Sequence, residues 1–121
     1  MGYESKIYVV SKSNFNGTGG KKFAVKIAEF DLCKVHGVSN ILRNMTKTDC
    51  YIYANDGDTE IIEDRYGEEL TECTPAKLLE IIENEKKKDD FGYWRYDIIL
   101  ATLRELVKLK DESLYCLHFG H

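Results

Sequence analysis

Proline, long apolar runs and targeting patterns are scarce in this sequence. Pro75 is the single proline among 121 residues, and no low-complexity run accompanies it, which argues against extended disorder. No apolar run approaches the roughly 20 residues that a membrane helix requires. The N-terminal MGYESKIYVV lacks a basic stretch followed by an apolar one and has the pattern of a strand. These absences predict a globular, cytoplasmic protein without a membrane partner.

Complete metal-binding and phosphate-binding motifs are missing as well. The four cysteines and three histidines show neither the CxxC nor the HxxxH spacing of structural zinc sites. Residues 17–21 end in Gly-Lys, but the earlier glycine and the following Ser or Thr of a phosphate-binding loop are absent. An EF-hand loop starting at Asp56 requires Glu at its twelfth position, where the chain has Gly67. We therefore predict no metal and no cofactor.

One pair of residues, Cys116 and His118, leaves some chemistry open. The two lie on one face of a predicted strand, so a composite metal site that includes them stays an alternative. For nucleophilic catalysis their separation of ~6–7 Å is too long, and the sequence supplies no third group to orient them. We predict no catalytic residue and a protein that is not an enzyme.

Length and hydrophobic pattern predict a single α+β domain over residues 1–121. The second strand carries Phe23, Val25 and Ile27 on one face, which is the face expected to lie against the core. The predicted order is β-β-short helix-β-β-α-α-β. This order favours a two-layer sandwich, in which an antiparallel sheet of about five strands is covered on one face by two helices.

The acidic segment, residues 49–72, holds most of the unbalanced charge. It contains nine acids and one arginine, a net charge of −8, whereas residues 1–48 carry +5 and residues 73–121 carry −1. Strand-forming residues on either side of Asp56-Gly57 predict a tight hairpin within it.

The carboxylates of this hairpin have two interpretations. They can guard an edge strand against aggregation, or they can offer a negative array to a Lys/Arg groove that normally holds phosphates. In the second case, the predicted partner-binding residues are Asp56, Asp58, Glu60, Glu63, Asp64, Glu68 and Glu69.

The densest aromatic stretch lies at the predicted start of the last helix. It offers an alternative site of four residues, Phe91, Trp94, Arg95 and Tyr96, which could stack on a nucleotide base at an oligomer interface. The same residues could equally pack the start of the helix. A nucleotide-signal-binding sponge is therefore the alternative function that the sequence leaves open.

Five stretches of the chain carry a likeness to a group of known proteins. They are Glu4–Val10, Phe30–Leu32, Tyr51–Gly57, Glu63–Gly67 and Leu117–His121. With these stretches the chain resembles small proteins encoded by phages and prophages of Gram-positive bacteria, over nearly its whole length. The resemblance carries no catalytic residues. It implies a phage accessory protein in the cytoplasm of the bacterial host, one that binds and disables a host defence component in the manner of anti-CRISPR proteins. It implies a basic protein partner rather than direct contact with nucleic acid.

Overall fold

A computed structural model describes residues 5–16, 22–32, 36–53, 57, 60–61, 69–88 and 94–120. Its elements, in chain order, are β1 Ser5–Asn16, β2 Lys22–Asp31, α1 His36–Arg43, β3 Thr46–Lys47, β4 Cys50–Tyr53, β5 Glu60–Ile61, β6 Thr71–Cys73, α2 Pro75–Lys88, α3 Trp94–Leu109 and β7 Leu114–Gly120. The α+β class is confirmed, with three helices and a mixed sheet.

Local chemistry explains where the two long helices begin and end. The Thr74 side chain accepts a hydrogen bond of 3.2 Å from the backbone N–H of Lys77, and Pro75 occupies the first helical position, as predicted for the start of α2. Helix α3 places Tyr96, Ile99, Leu100 and Leu103 in the core, three and four residues apart. It ends where Lys110 adopts a left-handed backbone conformation, with φ of 52°.

The sheet differs from the five-stranded antiparallel prediction. Seven strands are described, in the order β3-β6-β7-β1-β2-β4-β5, and the β2–β4 pair is parallel while the others are antiparallel. The chain leaves β2, passes through α1, and can therefore return in the same direction, as parallel pairing requires. The two-residue β3 and three-residue β6 were missed because strands this short carry no alternating pattern.

The sheet curls until its two sides meet at residues 46–53. Strand β3 pairs with β6 on one side, strand β4 pairs with β2 on the other, and only Thr48 and Asp49 separate them. Backbone hydrogen bonds continue across this junction: the Thr48 N–H donates to Leu70 O at 2.8 Å, and the Lys22 N–H donates to Asp49 O at 2.9 Å. We call residues 46–50 the seam. It gives the sheet the form of a small barrel with helices on its outside.

Two hydrophobic clusters follow from this closure. The outer cluster combines Ile7, Val9, Cys73 and Cys116 of the strands with residues of all three helices. The inner cluster contains only residues from the strands and from the segment just before β6, namely Tyr8, Val10, Ala24, Cys50, Ile52, Leu70 and Leu117. Strand β1 is buried on both faces as a result, which a flat sandwich with one helix-covered face does not provide.

Strand β2 corrects a second prediction, because its apolar face does not lie on the core. Val25 and Ile27 are 50% and 53% exposed, whereas the alternate residue Ala24 is buried in the inner cluster. The pairing with β1 shifts register where Val9 opposes Ala28 and Val10 opposes Lys26, so Ile27 is the extra residue of a β-bulge. Beyond the bulge, Ala28 and Phe30 turn to the outer cluster.

No helix of the described residues has the length and apolar character needed to cross a membrane.

Replacing Lys110 with glycine should stabilise the protein. The left-handed φ of 52° costs a residue with a Cβ about 1 kcal/mol, while glycine adopts it freely. The added freedom of glycine in the unfolded chain offsets part of the gain, so we expect about 0.5 kcal/mol more stability in urea unfolding. The matched control is Lys108→Gly, inside α3, which should destabilise by about 1 kcal/mol. A loss of stability in Lys110→Gly would contradict the assignment of the helix end.

Candidate functional site

The described residues confirm that the acidic segment contains a hairpin. Strands β4 and β5 pair antiparallel, with Ile52 opposite Ile61 and Tyr53 opposite Glu60. Gly57 has φ of 77°, as expected for the glycine of the Asp-Gly turn. Of the predicted partner-binding acids, Glu69 is exposed. Glu60 is placed by its backbone alone, and Asp56, Asp58, Glu63, Asp64 and Glu68 lie outside the described residues.

Both ends of the acidic segment converge on one lysine of β1. The Lys12 ammonium donates to Asp49 Oδ1 at 2.9 Å and to Glu72 Oε1 and Oε2 at 2.8 and 3.0 Å. Asp49 is the first residue of the segment and Glu72 the last. The same ammonium lies 3.9 Å from the centre of the Tyr115 ring, a cation–π contact. We call Lys12, Asp49, Glu72 and Tyr115 the seam cluster.

Burial and charge act together on the seam cluster. The Lys12 and Glu72 side chains are only 17% and 15% exposed. Burial by itself lowers the pKa of Lys12, but the hydrogen bonds to Glu72 and Asp49 outweigh it and raise that pKa above its ordinary value. The hydrogen bond from Lys12 also lowers the pKa of Asp49. Lys12 and Asp49 are therefore charged at neutral pH, and Lys12 offsets negative charge at both ends of the acidic segment.

The sequence contains no local signal for the seam cluster. Its members are separated by 37 and 60 positions along the chain. One weak indication exists, since strand alternation places Lys12 on the same face as Tyr8 and Val10, which are buried. A lysine on an otherwise buried face of a strand requires a partner, but only the closure of the sheet decides which one.

The cysteines of the described residues are placed as structural rather than reactive groups. Cys50, Cys73 and Cys116 are buried free thiols. Burial raises the pKa of Cys73 to about 12, and it also raises the pKa of Cys50 and Cys116. These thiols stay protonated at neutral pH, whereas nucleophilic attack and metal binding require the thiolate.

A composite metal site that includes Cys116 and His118 can be examined among the described residues. Cys116 and His118 are both buried on β7. Within those parts of the chain, no group of three His, Cys, Asp or Glu side chains is placed to hold a metal ion. Cys33 and His121 lie outside the described residues, and His36 is described by its backbone alone.

The alternative aromatic site receives a correction at Tyr96. This side chain is 1% exposed and packs in the outer cluster, so it fills the core and is not accessible to a base from solvent. Trp94 and Arg95 begin α3, with only their backbone described, and Phe91 lies outside the described residues. Binding of a nucleotide by Phe91, Trp94 and Arg95 stays a prediction.

A surface groove of about 430 Å³ lies elsewhere, between the start of α2, the end of α3 and the start of β7. Apolar walls come from Pro75, Leu106 and Leu114, among others. Its cation Lys110 is accompanied by Asp111 and Glu112, which would repel the phosphates of a nucleotide. The groove therefore does not strengthen the nucleotide alternative.

Among the described residues, five apolar side chains of β2 and β4 belong to neither hydrophobic cluster. We call Phe23, Val25, Ile27, Tyr51 and Tyr53 the β2–β4 surface. Its three aromatic rings contact one another, with centroids 5.5 to 5.8 Å apart. Tyr51 is buried, Phe23 is half-buried, and Tyr53 is 36% exposed, beside the more exposed Val25 and Ile27.

Comparisons with known proteins add no identification, since no protein-family model, curated protein or solved structure matches the chain.

Proposed function

We propose that this is a non-enzymatic phage accessory protein that inhibits a host defence component by binding it. The acidic segment 49–72 docks against a basic surface of that component, one that otherwise holds nucleic acid. The partner is thus a protein with clustered Lys and Arg, and the phage protein itself contacts no nucleic acid. The resemblance to phage and prophage proteins supplies the setting, and the seam cluster supplies the physical support.

The observation that carries the proposal is the convergence of Asp49 and Glu72 on Lys12. The first and last residues of the segment are thereby held at one ammonium group. Its remaining acids lie between these two anchored residues in the sequence. Carboxylates collected in this way raise the local negative potential, which attracts a cationic partner and orients it during encounter.

The chemistry of the described thiols and of Lys12 supports the proposal of a non-enzymatic function. The thiols are buried with raised pKa, and among the described residues the most tightly held lysine is occupied by two carboxylates. A general base or nucleophile needs a free position beside a reacting atom. The seam cluster offers none, since Lys12 directs its ammonium to Asp49, Glu72 and the Tyr115 ring.

Neutralising four acids of the segment should remove most of the binding affinity. The test variant carries Asp56→Asn, Asp58→Asn, Glu60→Gln and Glu63→Gln, and its control carries Glu80→Gln, Glu85→Gln, Glu105→Gln and Glu112→Gln on and after the helices. A partner is captured from a lysate of a Gram-positive host, purified, and titrated across a salt series. We expect wild type and control to bind alike and to release the partner's nucleic acid, with affinity falling as salt rises.

The acidic variant should lose most of that affinity and most of its salt dependence. Affinity like that of wild type in the acidic variant, or an equal loss in the control, would contradict the proposal. The nucleotide alternative is checked separately, by a thermal-shift screen of mononucleotides and cyclic nucleotides. No increase in melting temperature with any of them counts against that alternative.

A further inference from the structure

Two of the buried cysteines face each other across neighbouring strands. Cys73 of β6 lies directly opposite Cys116 of β7 in the antiparallel register. Residues opposed in this way project from the same face of a sheet, and both side chains lie in the outer cluster. Both are free thiols, 9% and 1% exposed. The register of the strands therefore brings together two oxidisable groups that are far apart in the sequence.

The spacing of opposed residues suits a disulfide. Directly opposed Cα atoms in antiparallel strands are about 4.5 or 5.5 Å apart, and disulfides join Cα atoms at about 4.4 to 6.8 Å. The Cβ atoms of such a pair must approach by up to about 1 Å to reach the range of a disulfide. A cross-link can thus form without rearranging the strands, and the required approach makes it easier to reduce than an unstrained disulfide.

The third buried thiol, Cys50, is not placed to compete for either partner. It lies in the inner cluster, on the other face of the sheet, and its Sγ is 3.0 Å from the Thr48 Oγ1. Among the cysteines of the described ranges, Cys73 and Cys116 alone share a face of the sheet. A disulfide formed in the folded protein should therefore join these two residues.

We propose that Cys73 and Cys116 form a reversible dithiol–disulfide pair, a redox-sensitive link between β6 and β7. A low-molecular-weight disulfide, R–S–S–R, is the oxidant. The Cys73 thiol loses its proton, and the thiolate attacks one sulfur of the oxidant, which gives a mixed disulfide and releases R–S⁻. The Cys116 thiol loses its proton in turn, and its sulfur attacks the Cys73 sulfur, so that the Cys73–Cys116 bond forms and the second R–S⁻ leaves. The two released thiolates take up the two protons, and the two electrons lost by the cysteine sulfurs reduce the oxidant to two R–SH.

Burial makes this exchange slow while the fold is closed. It raises the pKa of Cys73 to about 12, and burial together with the nearby Cys73 raises the pKa of Cys116, so little thiolate is present at neutral pH. Cys73 is the more exposed of the two and immediately precedes the capping residue of α2. Local opening at the start of α2 therefore exposes Cys73 first, and the pair responds to sustained oxidation rather than to a brief exposure.

The link would act on the helical part of the protein. Residues 73–116 contain both long helices, α2 and α3, and the disulfide would close this stretch into a loop. Closing a loop reduces the conformational entropy of the unfolded chain, so the oxidised protein should be the more stable form. The inference goes beyond the proposed function and does not depend on it, because no acid of the segment 49–72 takes part.

Oxidised glutathione is the probe that tests the pair on the full chain. Folded wild type is incubated with it at about pH 8, where thiol exchange is faster than at neutral pH. Remaining thiols are then alkylated in denaturant, and the peptides are mapped by mass spectrometry without reduction. The test variant is Cys116→Ala, and its matched control is Cys50→Ala, which removes a buried thiol from the other face of the sheet.

Wild type and Cys50→Ala should each give two peptides joined through Cys73 and Cys116, with a mass lower by two hydrogen atoms. Their melting temperature should rise by about 10 °C on oxidation and return when dithiothreitol reduces the link. Cys116→Ala should give at most a mixed disulfide of Cys73 with glutathione, and no such rise. The mapping of wild type identifies the pairing even where a variant fails to fold.

Three results would overturn the inference. The first is folded wild type without a Cys73–Cys116 link, which would mean that the two thiols only fill the outer cluster. The second is a link that joins either residue to Cys33 or Cys50 in its place. The third is a rise in melting temperature of equal size in wild type and Cys116→Ala, because the stabilisation would then come from another site.

Discussion

Replacing Leu117 with alanine should lower the free energy of unfolding by about 3 kcal/mol. Leu117 is fully buried in the inner cluster, on a strand between β6 and β1. The closed sheet surrounds it with strands, which cannot easily move inward to fill the space that the leucine leaves. The lost transfer energy is therefore accompanied by the cost of a cavity.

Leu109→Ala is the matched control for this prediction, because it makes the same chemical change at a residue that is 67% exposed. We expect the control to change stability by less than about 0.5 kcal/mol. Urea unfolding followed by circular dichroism measures both variants. A small effect of Leu117→Ala would mean that the inner face is solvent-accessible and that the sheet does not close at the seam.

Replacing Lys12 with methionine should destabilise the protein by about 2 to 3 kcal/mol. Methionine keeps the length of the side chain but leaves the Glu72 carboxylate, 15% exposed, without its cation. Breaking one side of a buried pair costs more than the pair itself contributes, since the remaining charge stays desolvated. Asp49 adds little to this loss, because its side chain is 59% exposed and can be hydrated instead.

Two further variants show whether the loss arises from the seam cluster. Lys6→Met removes a cation from the same strand, but its pair with Glu29 is longer, at 3.8 Å, and about one-third exposed, so we expect less than about 0.5 kcal/mol. The double variant Lys12→Met/Glu72→Leu removes both charges, and should be more stable than Lys12→Met alone. Equal stabilities of Lys12→Met and Lys6→Met would contradict the role of the seam cluster.

The stability that Lys12 supplies should depend on pH with a definite sign. Its pKa is raised on folding, so its contribution is fully present below the unfolded value of 10.5 and is lost as pH rises through the folded pKa. The pKa of Asp49 is lowered, so its smaller contribution is present above 3.8 and is lost as pH falls through the folded value. The stability difference between wild type and Lys12→Met should accordingly be constant at intermediate pH and shrink above about pH 10.5.

The same variant connects stability with the proposed function. Loss of Lys12 removes the side-chain contacts that join Asp49 and Glu72 to β1, so these two side chains should become less fixed. We expect Lys12→Met to bind the basic partner more weakly although the variant gains negative charge overall, because pre-organisation is lost. Tighter binding would indicate that charge alone governs recognition.

Much of the fold could be predicted from sequence, because its signals are local. The Thr74-Pro75 start of α2, the spacing of apolar residues in α3 and the Asp56-Gly57 turn each arise from chemistry within a few residues. The charge asymmetry of residues 49–72 is likewise a property of the sequence alone.

Only the tertiary structure decided that the sheet closes and which faces of its strands are buried. The alternation of β2 correctly identified two faces but assigned the core to the wrong one. Hydrophobic alternation does not reveal the bulge at Ile27, nor that the helices stop covering the strand there. Val25 and Ile27 therefore became part of an exposed surface instead of the core.

The acidic segment likewise has properties that the sequence determined and one contact that only the tertiary structure decided. The sequence by itself determined its charge and its hairpin, since both depend on neighbouring residues. Only the tertiary structure decided that Asp49 and Glu72 meet at Lys12, because that contact requires β1, the seam and β6 to come together. Partners separated by tens of residues are selected by the packing of the whole chain, so no local sequence pattern identifies them.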